Sequence, residues 1–240
     1  MRIRPSAFDS EMLGIRVGKA VVAGLDRGLV HALRTELADA DLDVVFLRDT
    51  SFAFERVADL PWEGLELTDV KVILSADGAP PSTERGEAFV VTTDAGPQDS
   101  AALLPIVHAI ADRSRFTRCF GEAAARRLYD AWLRNALARE AADWFFVARS
   151  VADGQPAGLI AVKREDDAAD LALVATAERY GGRGVLKLLT AAALQRVRAD
   201  GVSRCTVATQ LSNRTALRAY ESMGFTFDRT VVDLHLSRAR

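Results

Sequence analysis

The stretch that decides the fold is LALVATAERYGGRGVLKLLTAAAL, residues 171–194. Its apolar, partly β-branched start predicts a strand, and the glycine-rich run at 181–184 predicts a tight turn where that strand ends. A helix is expected directly after the turn, because apolar residues recur at helical spacing from Val185 to Val197. The segment therefore predicts a strand, a glycine turn and an amphipathic helix in immediate succession.

This kind of turn is suited to binding a pyrophosphate. Successive glycines let backbone N–H groups converge, and the first helical turn adds unpaired donors and a partial positive charge. Arg179 and Arg183 can add charge at its rim. Dinucleotide-binding and nucleoside-triphosphatase turns do not fit, because a Lys-Ser/Thr pair and an opening βαβ unit with its acidic residue are both missing. A purely structural turn is the alternative that the turn alone leaves open.

A second motif begins at Asn213, downstream of the glycine turn. Residues 213–225 read Asn-x-x-Ala-x-x-x-Tyr-x-x-x-Gly-Phe. The pair of motifs resembles the GCN5-related N-acetyltransferase (GNAT) superfamily, in which the glycine turn grips the pyrophosphate of coenzyme A. The superfamily pattern is Gln/Arg-x-x-Gly-x-Gly/Ala. If Gly184 is its first glycine, Gly181 and Leu186 depart from it; a frame shifted by two residues matches formally, but a helix starting at Val185 favours the first frame.

The resemblance implies acetyl-CoA as cosubstrate, no metal, and an acyl transfer to an amine. Tyr220 would protonate the departing thiolate, and its ordinary pKa near 10 keeps it protonated at neutral pH. The strand at 173–176 is expected to separate from the strand at 205–208, so that its backbone can pair with pantetheine. An N–H there, of Val174 or Ala175, would also stabilise the oxyanion. Asn213 would bind the pantetheine arm, cap its helix, or do both. The expected cofactor-binding residues are Val174, Ala175, Thr176, Gly181, Gly182, Arg183, Gly184, Val185 and Asn213.

Within the superfamily the chain resembles the TDP-fucosamine acetyltransferases, which acetylate a nucleotide-linked 4-amino-4,6-dideoxy sugar in polysaccharide biosynthesis. The shared stretches include Ser-Arg-Phe at 114–116 and Tyr-x-x-Trp-x-x-Asn-Ala at 129–136. The expected substrate-binding residues are Arg115, Phe116, Tyr129 and Trp132, with Arg113 and Arg118 as further partners for a diphosphate. A solvated basic loop over two core aromatics is the alternative. For the function, another amine acceptor (a peptide N-terminus, an aminoglycoside) and a non-catalytic coenzyme A sensor both stay open.

No general base stands out in the sequence. His108 is the best placed histidine, although a lone histidine is more often a packing residue. Asp112, Glu165 and Asp166 are weaker candidates, and deprotonation of the amine through ordered water is equally consistent with the residues present.

The order of elements predicts an α/β (α+β) fold with a mixed central sheet and helices on both faces. A linker around DGAPP at 77–81 is expected to separate a smaller N-terminal α/β domain, residues 1–78, from a catalytic domain, residues 87–240. The resemblance implies that the smaller domain is a degenerate acetyltransferase-like unit. A short helix at 51–60, a polar break at 113–121 and more than one final strand at 225–236 are also expected.

The composition limits the classes of binding partner that are expected. The 240 residues carry a net charge of −2, so no overall basic field recruits nucleic acid or anionic lipid. Two cysteines without metal-ligand spacing favour a reduced, intracellular chain. No signal peptide and no run of about 18 apolar residues is present, so a soluble cytoplasmic protein without membrane partners is expected. A homodimer is left open.

Overall fold

The structure is a computed structural model that describes residues 2–51, 60–77 and 88–238. The strands within these residues are β1 (Arg4–Pro5), β2 (Val17–Val22), β3 (Val44–Asp49), β4 (Leu65–Ala76), β5 (Phe89–Thr92), β6 (Trp144–Ser150), β7 (Pro156–Glu165), β8 (Ala168–Thr176), β9 (Arg204–Gln210) and β10 (Thr226–Ser237). The helices are α1 (Ala7–Leu13), α2 (Arg27–Asp39), α3 (Ser100–Ala111), α4 (Arg115–Phe120), α5 (Glu122–Leu137), α6 (Val185–Ala199) and α7 (Arg214–Glu221).

All of these strands form one mixed sheet in the order β1-β2-β3-β10-β4-β9-β8-β7-β6-β5. The pairs β2–β3 and β8–β9 are parallel, and the other neighbours are antiparallel. Each parallel pair is joined by a helix, α2 in the first case and α6 in the second, as parallel connections require. The predicted mixed sheet is therefore confirmed.

Helices cover both faces of this sheet. Alternating residues of β7 separate two apolar cores, because Ile160 packs in the cluster of α6 whereas Leu159 and Ala161 pack in the cluster of α3 and α5. Gly158 allows the close approach of α6, since a Cβ there would lie 2.9 Å from the Val185 side chain. The predicted arrangement of helices on both faces is confirmed.

The sheet opens between β8 and β9. These strands pair only where Ala168–Asp170 meets Arg204–Thr206. Beyond that point β8 stays with β7 as far as Thr176, while β9 stays with β4 as far as Gln210. The predicted separation of the two strands is confirmed, and it leaves one backbone edge of residues 171–176 unpaired with β9.

The N-terminal and C-terminal parts of the chain share this sheet. Strand β10 lies between β3 and β4, and β4 in turn lies between β10 and β9. Val72 and Leu74 of β4 pack in the same core as Leu189 of α6. Because the sheet is shared, neither part has a sheet of its own. The division into residues 1–78 and 87–240 stays a prediction, and so does the acetyltransferase-like nature of the first part.

Three expectations need correction. The polar break at 113–121 contains α4, which Ser114 caps by accepting a hydrogen bond from the Thr117 N–H at 3.4 Å. At six residues α4 is too short to show a helical period. The C-terminal segment forms the single strand β10. Its register with β4 shifts at two points, but the strand continues through both of them. Helix α1 was not expected, although Ser6 caps its start and Gly14 ends it with φ +70°.

The predicted helix at 51–60 falls largely on residues 52–59, which lie outside the described ranges. Among the helices of the described part, none is long and apolar enough to cross a bilayer. The described residues likewise contain no group of three or more His, Cys, Asp or Glu side chains that could hold a metal ion.

Candidate active site

A groove of about 1150 Å³ starts where β8 and β9 separate and extends over the sheet face covered by α3, α4 and α5. Its floor crosses six neighbouring strands, from β8 through β9, β4, β10 and β3 to β2. With roughly 4.8 Å between neighbouring strands, these five steps correspond to about 24 Å. The opening in the sheet is thus one end of a much longer binding surface.

The glycine turn lies at the entrance to this groove. After β8, a short 3-10 helix at Glu178–Tyr180 leads into the turn, and α6 begins at Val185 with Gly184 as its N-cap at φ +81°. The Tyr180 hydroxyl donates to both carboxylate oxygens of Asp153, at 3.0 and 2.9 Å. The observed helix start agrees with the motif frame that has Gly184 as its first glycine, and Leu186 faces the groove.

The predicted cofactor residues fall into two groups. Those whose atoms line the groove are Val174, Ala175, Thr176, Gly181 and Asn213. Gly182, Arg183, Gly184 and Val185 lie just outside it. The Val185 side chain is buried in the core, and the Arg183 guanidinium stacks over Phe89 at 5.0 Å. Any contact of Val185 with a ligand is therefore limited to its backbone at the start of α6.

Tyr220 lines the groove from the last turn of α7 and is almost fully buried. Burial raises the pKa of its phenol above the ordinary value, and the charge of Asp170 acts in the same direction. The hydroxyl therefore keeps its proton throughout the neutral range. Asn213 caps the same helix by accepting a hydrogen bond from the Ala216 N–H at 3.2 Å, and its side chain also faces the groove.

The opened edge of β8 contains a β-bulge. Its register with β7 passes from Leu173 opposite Ala161 to Leu171 opposite Val162, so Ala172 is the extra residue. Neither of the described neighbouring strands pairs with Ala172, and it lines the groove. The sequence placed the free backbone donor at Val174 or Ala175; the bulge offers another, closer to the point where β8 and β9 join.

Asp170 stands at that junction and was not singled out in the sequence. Its carboxylate accepts a hydrogen bond from the Thr206 hydroxyl at 2.8 Å, and it lines the groove. Burial raises its pKa, although the Thr206 hydrogen bond acts in the opposite direction. It is therefore a more basic carboxylate than a surface aspartate, and its charge acts on Tyr220.

The four predicted substrate-binding residues come together in the groove. The Trp132 ring centroid lies 5.6 Å from that of Phe116 and 4.7 Å from that of Tyr129. The Arg115 guanidinium lies 4.8 Å from the centre of the Phe116 ring. Helices α4 and α5 thus present an aromatic wall, defined here as Phe116, Tyr129 and Trp132, with one cation against it.

Opposite this wall, three cations converge on one carboxylate. Arg48 donates to Asp233 from Nε at 2.7 Å, Lys71 Nζ lies 2.9 Å from the same carboxylate, and Arg115 Nη1 contacts it as well. Burial alone would raise the pKa of Asp233, but these cations outweigh it and hold that pKa below its ordinary range. The set Arg48, Lys71, Arg115 and Asp233 is called the cation cluster below.

Several candidates from the sequence are engaged elsewhere. His108 Nε2 lies 2.5 Å from Asp130, on the helix pair α3 and α5 and not among the groove residues. Asp112 accepts from Arg126 at 2.9 and 2.8 Å. Arg118 donates to the Thr68 carbonyl.

Arg113 borders the groove, but it pairs with Glu178 at the exposed surface. Glu165 and Asp166 lie at the exposed β7–β8 turn, outside the groove. The candidates for the general base and for extra diphosphate contacts therefore either bind other residues or lie outside the groove.

Sequence comparison identifies the middle and later part of the chain. Residues 111–225 match the model of the acetyltransferase (GNAT) family. The matched range begins at the end of α3 and ends just before β10, so it includes the aromatic wall, the strand opening, the glycine turn and Tyr220. Comparison with curated protein sequences gives no significant match.

Solved structures share the fold. A GCN5-related N-acetyltransferase from Sphaerobacter thermophilus aligns with a TM-score of 0.63 and 15% identity, over 89% of this chain and 68% of that one. A tandem GNAT protein from the clavulanic acid biosynthesis pathway gives 0.55 and 15%, over 89% and 70%. The PaiA N-acetyltransferase of Thermoplasma acidophilum, solved with coenzyme A, gives 0.51 and 17%, over 62% and 99%.

These matches do not separate the TDP-fucosamine acetyltransferases from the rest of the superfamily. GNAT enzymes use acetyl-CoA as their acyl donor, and the structure of the PaiA protein contains coenzyme A. Residues 111–225 match the acetyltransferase (GNAT) family model, the described strands and helices have the fold of solved GNAT proteins, and the two findings together support an N-acetyltransferase.

Proposed function

We propose that this acetyltransferase acts on the amine of a nucleotide-linked 4-amino-4,6-dideoxy sugar. The observation that carries the proposal is one continuous groove, which contains the strand opening, Tyr220, the aromatic wall and the cation cluster. Aromatic faces suit the apolar face of a sugar or a nucleobase. A floor that crosses six strands suits an extended acceptor better than a small amine.

Acetyl-CoA would enter from the glycine turn. Its pyrophosphate binds the backbone N–H groups of the turn and of the first turn of α6, which are oriented toward an anion. Its pantetheine arm follows the opened edge of β8, where Val174 and Thr176 offer backbone groups that β9 does not use. Asn213 meets the arm from the start of α7.

The chemical step then takes place between β8 and α7. The thioester carbonyl accepts a hydrogen bond from the N–H of Ala172, which also stabilises the oxyanion after the amine has attacked. The new C–N bond forms, the C–S bond breaks, and the thiolate takes the proton of Tyr220. The nitrogen loses its second proton to the Tyr220 phenolate, which leaves a neutral amide and restores the phenol. Burial keeps the phenol of Tyr220 protonated at neutral pH, so the proton is present when the thiolate leaves.

Asp170 is proposed to receive the proton that the ammonium group must lose before it can attack. It lies two residues from the bulge, it faces the groove, and burial raises its pKa. The Thr206 hydroxyl holds one of its oxygens. In this role Asp170 replaces His108, whose imidazole is bound to Asp130.

Both substrates are phosphorylated and do not cross membranes unaided, so the proposal includes a cytoplasmic location and a place in polysaccharide biosynthesis. The homodimer left open by the sequence stays untested and plays no part in the proposed mechanism.

The test is a comparison of acceptors. Thiol release from acetyl-CoA is measured with a dTDP-linked 4-amino-4,6-dideoxygalactose, with the same amino sugar lacking the nucleotide, with a peptide amine and with an aminoglycoside. We expect the highest kcat/KM for the nucleotide-linked sugar. Release with only the peptide or the aminoglycoside would move the acceptor to that class. Binding of coenzyme A without release to any amine would contradict a catalytic role and support a sensor.

Tyr220→Phe tests the proposed acid in the same assay. We expect kcat to fall at least about 100-fold, the usual contribution of a general acid, while the Kd for coenzyme A stays near that of the wild type. A variant that retains the wild-type kcat would show that another group protonates the thiolate.

A further inference from the structure

The cation cluster is unusual because three positive side chains share one carboxylate. Arg48, on β3, is 43% exposed at its side chain, whereas Lys71 on β4 is 22% and Arg115 on α4 only 12% exposed. Asp233 itself is 4% exposed. The three cations come from parts of the chain that are far apart in sequence, and their side chains all border the groove.

The hydrogen-bonding capacity of these side chains exceeds what Asp233 can take up. An arginine has five N–H donors and a lysine three, whereas the carboxylate has two oxygens. Arg48 uses Nε and Nη2 on Asp233, at 2.7 and 3.2 Å, and Lys71 uses one donor at 2.9 Å. Among the described residues, Asp233 is the carboxylate that pairs with all three cations, so most of their donors are left for a group that enters the groove.

The other carboxylates nearby do not take the place of such a group. Asp170 accepts from the Thr206 hydroxyl, and among the described residues neither Asp69 nor Asp170 forms an ion pair with the cluster. Burial lowers the pKa of the Lys71 ammonium, which means that its charge is incompletely compensated where it lies. His235, the next inward-facing residue of β10, is held neutral, because burial lowers its pKa to about 3.

We infer that Arg48, Lys71 and Arg115 form an anion-binding subsite that holds the diphosphate of the acceptor. The inference rests on the proposed function and adds which residues recognise the nucleotide-linked part. Arginine forks bind phosphate oxygens in pairs, and the lysine supplies a point charge between them. Arg113 and Arg118, which the sequence also suggested for this role, have other partners.

The position of the subsite fits an acceptor whose amine and phosphate lie at opposite ends of one sugar ring. Asp170 and the cluster residues Arg48 and Lys71 line the same groove, so the cluster and the site proposed for the amine share one cavity. The aromatic wall faces the space between the cluster and the site proposed for the amine. Arg115 connects the wall with the cluster, because it lies against Phe116 and contacts Asp233. A sugar ring can therefore lie on the wall while its diphosphate reaches the cluster.

The experiment measures binding of inorganic pyrophosphate by calorimetry. The protein is first saturated with coenzyme A, so that the glycine turn is occupied and does not contribute. We expect Arg48→Met and Lys71→Met each to raise the Kd at least about tenfold. Arg149→Met is the matched control, because Arg149 is a partly buried arginine paired with Asp99 at 2.7 Å outside the groove; its Kd should equal that of the wild type.

Equal affinity for pyrophosphate in the wild type, Arg48→Met and Lys71→Met would overturn the subsite. If Arg48→Met does not fold, Arg48→Lys keeps a cation on Asp233 but loses the fork, and it should still bind pyrophosphate more weakly than the wild type. The same variants should raise the KM for the nucleotide-linked amino sugar and leave that for the sugar without nucleotide unchanged.

The two levels of the proposal can fail separately. Pyrophosphate binding that the variants weaken, without transfer to any nucleotide-linked sugar, would uphold the subsite and reject the proposed acceptor. Transfer to the nucleotide-linked sugar with the same KM in wild type and variants would uphold the acceptor and reject the subsite.

Discussion

His235 is a buried histidine on β10, only 3% exposed and stacked on Phe46 at a centroid distance of 4.5 Å. Its Nε2 has no hydrogen-bond partner among the described residues. Burial lowers its pKa to about 3, the positive charges of Arg115 and Arg118 act in the same direction, and Asp233 opposes them. The imidazole is therefore neutral in the folded protein well below the pH at which an exposed histidine takes up a proton.

This difference predicts how stability depends on pH. In the unfolded chain the imidazole binds a proton below about pH 6.5, whereas in the folded protein it does not until about pH 3, so its contribution to stability falls as the pH decreases between these values. Between pH 6.5 and 5 the loss amounts to about 2 kcal/mol. In urea unfolding at pH 7 and 5, His235→Phe should therefore lose about 2 kcal/mol less than the wild type.

His31→Gln is the control for this measurement, because His31 is exposed on α2 and is solvated in both states. It should show the same loss as the wild type. If His235→Phe loses as much stability on acidification as the wild type does, the imidazole is protonated in the folded state and the assignment of a neutral ring is wrong.

The residues of the site differ in how well they could be predicted. Tyr220 and Asn213 belong to a motif of fixed spacing, and Phe116, Tyr129 and Trp132 lie in stretches shared with the TDP-fucosamine acetyltransferases, so the resemblance was enough to identify them as candidates. Arg48, Lys71 and Asp233 meet only because β3, β10 and β4 are neighbours in the sheet. No local pattern in the sequence connects residues 48, 71 and 233, and Asp170 matters only because a bulge follows it.

The glycine turn is held in position by contacts that the preceding residue, Tyr180, makes with other parts of the chain. Tyr180 is buried, packs against Phe89 at 5.5 Å with edge-to-face geometry, and donates its hydroxyl proton to Asp153 of the β6–β7 turn. This contact holds the end of the 3-10 helix, and therefore the glycines that follow it, in the conformation proposed to receive the pyrophosphate. Binding then requires less ordering of the turn.

Tyr180→Phe removes this hydrogen bond and keeps the ring. Because this hydrogen bond orders the turn, we expect its loss to raise the Kd for coenzyme A several-fold, with little change in kcat. Asp153→Ala should give the same result, since it removes the acceptor of the same bond, and the double variant should add little. Affinities equal to the wild type in both single variants would mean that the turn keeps its shape without this contact.

At the scale of elements, period and turn chemistry predicted most strands and the long helices, because each is long enough to show a pattern. The order of the strands is another matter. Strand β10 follows β9 in sequence after α7, yet β4 separates them in the sheet. That insertion depends on long-range pairing of β4 with both strands, for which a hydrophobic pattern carries no information.

Strands β4 and β10 join the N-terminal and C-terminal parts of the chain in one sheet, because each lies between strands of the other part. Without residues 1–78, strand β9 would lose its pairing with β4 over residues 205–210 and keep β8 only at residues 204–206. Strand β10 would lose both neighbours, and the core beneath α6 would lose Val72, Leu74 and Ala76. Two long unpaired edges and a truncated core favour aggregation over folding. The predicted catalytic domain, residues 87–240, should therefore not fold by itself, even though it contains the glycine turn, Asp170 and Tyr220.

Expressing the chain in two pieces tests this expectation. We expect residues 87–240 alone to be insoluble or to lack cooperative unfolding, and residues 1–78 alone to be unfolded by circular dichroism. Co-expressed with a tag on only one piece, the two should co-purify and bind coenzyme A, because β4 can then enter between β9 and β10. The intact chain should unfold in a single transition by fluorescence and by circular dichroism. A soluble 87–240 fragment that unfolds cooperatively and binds coenzyme A would instead establish an autonomous catalytic domain. In that case β4 would not be needed for folding and would contribute only the part of the acceptor groove that contains Lys71.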